Sequence, residues 1–571
     1  MKLSLALLFL LTANLLQAQL LIRNATVIDV EAKKLLPAHD VLVQDGRIAA
    51  IGKKLKTPPN TQIIDGTGKF LAPGWVDAHV HFFQSGGIYT RPDAIDLRKF
   101  KPYEDEIRWT HQNMESFLRR YISAGITTVI DVGSTVNFLK QRDSFTTKTY
   151  APSVYMTGPL LTTWEPQPFK NLKEDEPFYE MKTAEEARAY VQKQLPFKPD
   201  FIKIWYIVMG RNTDSAARKH LPLVQAVIDE SHKNGLRVAV HATERITALL
   251  AVEAGADFLV HGIDDEPVDA AFVQLLKNKK VVLSPTLMVA GNYMNTFGQQ
   301  QQAKPHDFKY AHPTPLNSIL DLKGIPDTNL VNRYKNYVQN NRANTKATDS
   351  VLRLNLKRLL DGGVTIATGT DAGNIGTQHA SSYFDELQAM KESGFDMWQL
   401  LQASTINGAK AVGKEAEFGS VRKGKRADLI LLNKNPLDDL ANWSNLDWVI
   451  NKGVAAKPDT VVKSTPVELA DQQLLAYNAH NLEAFLAPYA DDVEVYNFPN
   501  KLEIKGKEQM RKAYQFLNTT PKLYCRLLNR IVQGNMVIDH EEVWGFGDKP
   551  FYGIAIYEIE NGKIKRVYFP Q

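Results

Sequence analysis

The 571-residue chain has a single cysteine, Cys525. A lone thiol cannot close an internal disulfide or build a thiolate metal cluster, so stability must come from packing and any metal must be held by other ligands. Charge of one sign is also scarce: 68 Lys and Arg against 63 Asp and Glu leave a net +5, with no dense basic block of the kind that tracks phosphates. Nucleic acid is therefore not an expected partner. The sequence lacks low-complexity tracts and short-period repeats, which argues against disorder and solenoids. Long apolar runs are missing except at the N-terminus. There MKLSLALLFLLTANLLQAQ carries one cation, an apolar stretch short for a bilayer, and small residues around Ala18. That grammar predicts a cleavable export signal over residues 1–18, hence a periplasmic or secreted protein with no stable membrane insertion after cleavage. Leu16 is bulky for the −3 position, which keeps an uncleaved anchor as the alternative. With no cysteine near the cleavage point, lipid attachment there is excluded.

What is present is the composition of a folded protein, 44% hydrophobic and 23% charged, in a chain too long for one core. Short alternating strands such as LLIRNATVIDV and DVLVQDGRIAAIG open the sequence, and RADLILLNKNPL and LDWVINKGVAA return to that texture late. Together they predict a composite β-sandwich from residues 19–72 and 413–460. Between them, eight apolar strands alternate with helix-length amphipathic segments: GWVDAHVHF, ITTVIDVG, SVYMTGPLL, DFIKIWYI, RVAVHAT, DFLVHG, VVLSPTLMV and VTIATGTDAG. Eight such units predict an α/β fold, a (β/α)8 TIM barrel over residues 73–412. A Pro- and Thr-bearing linker follows, and residues 466–571 read as a separate α+β domain with a long helical opening.

Alternation along a strand puts Asp77, His79 and His81 on one face, the histidines nearest the C-terminal mouth where barrel active sites lie. Lys203, His241, His261 and Asp371 each interrupt an apolar strand near its exit. Singly, each histidine reads better as a hydrogen-bonded structural residue, and Lys203 as a snorkelling side chain. Together they do not, because a lysine and four histidines at one mouth would carry a heavy desolvation cost unless metal cations and Asp371 completed the set.

This pattern, from PGWVDAHVH through the strand-four lysine and the strand-five and strand-six histidines to TGTDAG, resembles the amidohydrolase superfamily. DFIKIW with VEAGADFLVHG is similar to its imidazolonepropionase-like and Xaa-Pro-dipeptidase-like branch. The resemblance implies two divalent ions, zinc foremost: His79, His81 and Asp371 on the more buried one, His241 and His261 on the second, and Lys203 carboxylated as the bridge. Imidazolonepropionase itself works without that lysine, so Lys203 argues against that activity. The expected chemistry is hydrolysis of an amide or peptide C–N bond, as in a dipeptidase, by a hydroxide held between the metals, with Asp371 as proton shuttle. An esterase, lactonase or phosphotriesterase using the same metals, or a catalytically silent binding protein, are the alternatives.

The substrate is expected to be a small molecule or short peptide, met by loops after the strands. Tyr206 and Arg211 are candidates for a substrate carboxylate. Residues 288–342 are expected to form a long lid loop carrying His306, Tyr310 and His312. His111, His220, His232 and His379 are assigned to the surface or to helices. The last hundred residues resemble a SnoaL-like, ketosteroid-isomerase-like cone, an expected binding or dimerising module through which the chain could form a homo-oligomer. Asp539 with His540, or His480, are candidates for a second site there.

Overall fold

The computed structural model describes residues 19–210 and 212–570; the expected leader and Arg211 lie outside the described residues. The eight barrel strands form where the apolar runs predict them, at Trp75–Val80, Ile126–Asp131, Ser153–Met156, Ile202–Trp205, Val238–His241, Phe258–Val260, Val282–Ser284 and Thr365–Ile366. Their pairing is parallel throughout. The third run is split: Ser153–Met156 pairs with the second strand, and after Thr157–Pro159 the chain resumes at Leu160–Thr162 to pair with the fourth. The barrel closes between its first and eighth strands, where Ala78 N–H donates to Thr368 O at 2.8 Å and Asp371 N–H to His79 O at 2.7 Å.

Strands from both flanks of the barrel, Gln19–Pro73 on one side and Leu429–Ala456 on the other, join one eight-stranded sheet. The link runs through Phe70–Pro73, which pairs antiparallel with Leu429–Leu432. Beyond Thr465, which caps the helix Pro466–Asn478, a six-stranded sheet curls around its own core of Leu469, Phe485, Tyr489, Val537 and Tyr557. No helix among the described residues is long and apolar enough to cross a membrane.

The expected lid loop is not a loop. Residues 288–342 fold into helices at Val289–Phe297, Pro305–Tyr310 and Pro313–Ser318, then enter the long helix Thr328–Asp361. Its prolines start helices instead of breaking them. Pro305 and Pro313 stand at first helical positions, where the missing N–H is no loss. His312 Nδ1 accepts from Thr314 N–H at 3.3 Å and so caps its helix. This insertion joins the barrel to the C-terminal domain. Asn317 Nδ2 donates to Asp471 O at 2.8 Å and Thr314 Oγ1 to the Asp471 carboxylate. His312 Nε2 lies 2.8 Å from Glu468 Oε1, which also accepts from Ser116 at 2.6 Å and faces Arg120 at 3.4 Å.

Candidate metal centre

The barrel strands are largely apolar, and their histidines gather toward the C-terminal ends. Trp75–Val80 is buried throughout and leads directly into His81. Asp77 clasps this strand to the eighth: its carboxylate accepts from Thr370 N–H at 3.1 Å and Thr370 Oγ1 at 2.8 Å. Burial pushes Asp77 up to about 7 despite those bonds. The close approach requires glycine at position 369, where a Cβ would stand 2.2 Å from Ser284 Oγ and 2.7 Å from His79 Cβ.

His79 and His81 point into the mouth with their Nε2 atoms 3.3 Å apart, and Asp371 Oδ1 lies 3.2 Å from the first and 3.1 Å from the second. His81 Nδ1 is 2.7 Å from the Gly133 carbonyl. A carbonyl only accepts, so Nδ1 carries a proton and donates it to Gly133 O. His261 Nδ1 is held by Thr286 Oγ1 at 2.7 Å. One nitrogen each of His79 and His261 and one oxygen of Asp371 fall within 4.8 Å of one another. The His241 ring centre lies 4.4 Å from that of His261, and Lys203 is buried in the same cavity wall.

The charge states suit cation binding. Burial lowers His79 to about 4. It also holds His241 and His261 well below the ordinary imidazole range, helped by Lys203 and His241 respectively. Burial alone would raise Asp371, but His79 and His81 outweigh it and hold the carboxylate well below its usual range. Lys203 is brought down to about 7 by burial, opposed only by the Asp371 charge. Neutral imidazoles around an ionised carboxylate are the protonation states a metal requires. His261 and Asp371 also sit at φ 75° and 60°, left-handed backbone that costs a non-glycine residue about 1–3 kcal/mol and that collects at functional sites.

The donor set fits a divalent ion. Asp371 Oδ1 and His79 Nδ1 are buried without a hydrogen-bond partner, and an ionised oxygen left so is costly unless a cation meets it. Nitrogen and oxygen donors without sulfur suit zinc or a similar ion in an open catalytic site. The sequence profile of the amidohydrolase family matches residues 70–458. The chain belongs to the amidohydrolase family. A SnoaL-like domain profile matches residues 470–567 of the same amidohydrolase. A deacetylase of Agrobacterium fabrum is 32% identical over 121 residues, 21% of this chain and 24% of the deacetylase, so the match spans about a quarter of that relative's length. Two solved structures share the fold. An Xaa-Pro dipeptidase with bound methionine in its active site is 23% identical, covering 77% of this chain and 100% of its own, with a TM-score of 0.57. Phenylurea hydrolase B is 20% identical, covering 79% and 100%, with a TM-score of 0.58.

The amidohydrolase mouth opens into a cavity of about 400 Å³ that brings together His81, Lys203, His241, His261 and Asp371. Of the substrate residues expected from sequence, Tyr206, His306 and His312 are not in this lining. Tyr206 turns outward from the barrel and donates its hydroxyl to Ala217 O, so Trp205 lines the cavity in its place. His306 pairs with Asp385 at 3.2 Å, and His312 is buried against Glu468 at the domain junction. His379, expected at the surface or on a helix, is buried outside any helix. Its ring stacks on Phe82 at 5.2 Å, Nε2 donates to Gln84 O and Nδ1 accepts from Tyr121 OH, both at 2.9 Å, bracing the chain just after His81. His111, His220 and His232 lie on helices as expected.

Sequence reasoning missed the cavity's polar wall. Arg91 binds Asp93 through Nε and Nη2 at 2.7 and 2.6 Å and reaches Asn374 Oδ1 through Nη1 at 2.7 Å. Tyr293 OH donates to the same Asn374 oxygen at 2.8 Å. The available signal was local: Arg91 and Asp93 flank Pro92 shortly after the first barrel strand, and Asn374 lies three residues beyond Asp371.

Proposed function

We propose that this chain is an exported metal-dependent hydrolase that cleaves the amide C–N bond of a small, largely apolar molecule. The observation that carries the reading is the unpartnered, buried Asp371 Oδ1 set 3.1–3.2 Å from the Nε2 atoms of two buried histidines. His79, His81 and Asp371 would hold one divalent ion, His241 and His261 a second, with carboxylated Lys203 shared between them, and zinc is the ion this donor set suits best. Bound there, the two ions supply an activated water and polarise the carbonyl under attack. Asp371 accepts the proton released as the C–O bond forms and delivers it to the nitrogen as the C–N bond breaks, yielding a carboxylic acid and an amine. Support for C–N chemistry comes from the names of the relatives, among them a deacetylase, a dihydroorotase and an adenine deaminase.

The cavity lining narrows the substrate. Leu160, Phe178, Trp205 and Leu287 make its walls apolar. Arg91 is the only guanidinium lining it among the described residues, and each of its three nitrogens already gives a bond to Asp93 or Asn374. Among the described lining residues the Arg91 charge is met by Asp93, which favours an uncharged N-acyl or aryl amide over a dipeptide. Metal-loaded protein given a panel of N-acyl amines, N-acyl amino acids, dipeptides and matched esters should release amine fastest from the uncharged apolar amides. Preferential release of alcohol from the esters would refute the C–N assignment, and fastest turnover of dipeptides would refute the substrate class. Export belongs to the same proposal and rests on the leader grammar of residues 1–18. It predicts that N-terminal sequencing of the mature protein starts at Gln19.

A further inference from the structure

The C-terminal domain holds a cavity of about 610 Å³, larger than the one at the barrel mouth. Its walls are aromatic, with Tyr477, Phe485, Tyr489, Tyr514, Phe516 and Tyr557 lining the interior. At its rim Phe546, Phe551 and Tyr552 are 54%, 50% and 62% exposed. Three large rings left in water around one opening are unusual on a folded surface and mark a binding site better than a packing defect.

One carboxylate lies among these rings, that of Glu541. Asp539 and Glu541 alternate onto the same side of the strand Met536–Trp544, but their surroundings differ. Arg530 clasps Asp539 with two bonds of 2.6 and 2.7 Å. Among the described residues no cation pairs with Glu541, and the Arg530 charge reaches it only from a distance. Its partners are the Cys525 thiol, a weak donor, and Tyr557 OH at 3.3 Å. The Tyr557 hydroxyl accepts from Gln473 Nε2 at 2.9 Å, so its own proton is directed at Glu541 Oε1. Burial, with Asp539 adding to it, pushes Glu541 up to about 7. His540, between the two, faces outward and is exposed, and His480 donates to Leu523 O at 3.0 Å, so neither lies in the lining.

Aromatic faces present negative potential, and a carboxylate adds to it; the species that complements both is a cation. We propose that this cavity binds an organic monocation, an amine or quaternary ammonium on an apolar body, its charge against Glu541 and the ring faces. The site is independent of the chemistry at the barrel mouth.

Titration calorimetry of the full-length, metal-loaded protein with 2-phenylethylamine and its neutral counterpart 2-phenylethanol tests this. The amine should bind saturably, roughly tenfold tighter than the alcohol. Glu541→Gln should erase that preference. Gly553→Leu offers a second variant that leaves the carboxylate in place. A Cβ at position 553 meets only the Phe551 ring, at 3.8 Å, so a larger side chain fills the cavity without crowding the strand, and neither compound should then bind there. Equal or tighter binding of 2-phenylethanol, amine binding undiminished in both variants, or no saturable binding of the amine to the unmodified protein would each overturn the proposal.

Discussion

The barrel mouth and the C-terminal cavity each enclose a buried carboxylate, and the two titrate in opposite directions. Asp371 is held well below the ordinary range because His79 and His81 offset its burial, whereas Glu541 is pushed up to about 7 because burial, with Asp539 adding to it, outweighs a tyrosine, a distant Arg530 and a thiol. Burial therefore does not decide what a carboxylate does; its neighbours do. At the mouth, five strand ends supply nitrogen and oxygen donors around one point, which suits an inorganic cation. In the cone, rings surround the carboxylate, which suits an organic one.

Substitutions can break this contrast, beginning with the largest effect. Asp371→Asn should lower kcat/KM by about a thousandfold with the fold retained, because the proton acceptor is lost together with a metal donor; steady-state amine release measures it. A third carboxylate, Glu468, ties the two regions together. Glu468→Ala leaves Arg120 buried without its counter-charge and should weaken docking of the C-terminal domain by about 3 kcal/mol, read as faster proteolysis of the 457–465 linker. Burial alone would raise Glu468, but His312, Arg120 and Ser116 bring it below its ordinary 4.5. A lowered folded value means its contribution is complete above about pH 4.5 and is lost below it, as the pH falls through the folded value. Linker cleavage should accelerate in acid in the native protein and depend less on pH in Glu468→Gln.

Smaller effects sharpen the same comparison. Thr286→Val removes the hydroxyl that orients His261 and should weaken metal retention about 10- to 100-fold in a chelator competition. Tyr206→Phe should leave KM unchanged and cost only about 1 kcal/mol of stability, since its hydroxyl serves Ala217 and not the cavity.

Much of the barrel was legible because its chemistry interrupts a strong pattern. Alternation along an apolar strand tells which polar residues near its end face the mouth, so His79, His81, Lys203, His241, His261 and Asp371 could be assembled from sequence. Residues whose meaning depends on a distant partner could not. The stretch around Pro305 and Pro313 read as a loop, although proline at a first helical position is compatible with a helix, and the caps come from Asp307, which accepts from Lys304 N–H, and from His312. Asp539 drew attention in the C-terminal domain, but Arg530 neutralises it, and the unpaired group is Glu541, two residues on. His379 carried no periodic signal, and its burial follows from Phe82, Tyr121 and Gln84 meeting around it.

Elemental analysis of the purified, metal-saturated protein tests the proposed two-metal site bridged through Lys203. Two divalent ions per chain are predicted, falling to one or fewer in Lys203→Ala and partly restored by a small carboxylate such as formate. A single ion at saturation in both proteins, or two in both, would contradict it.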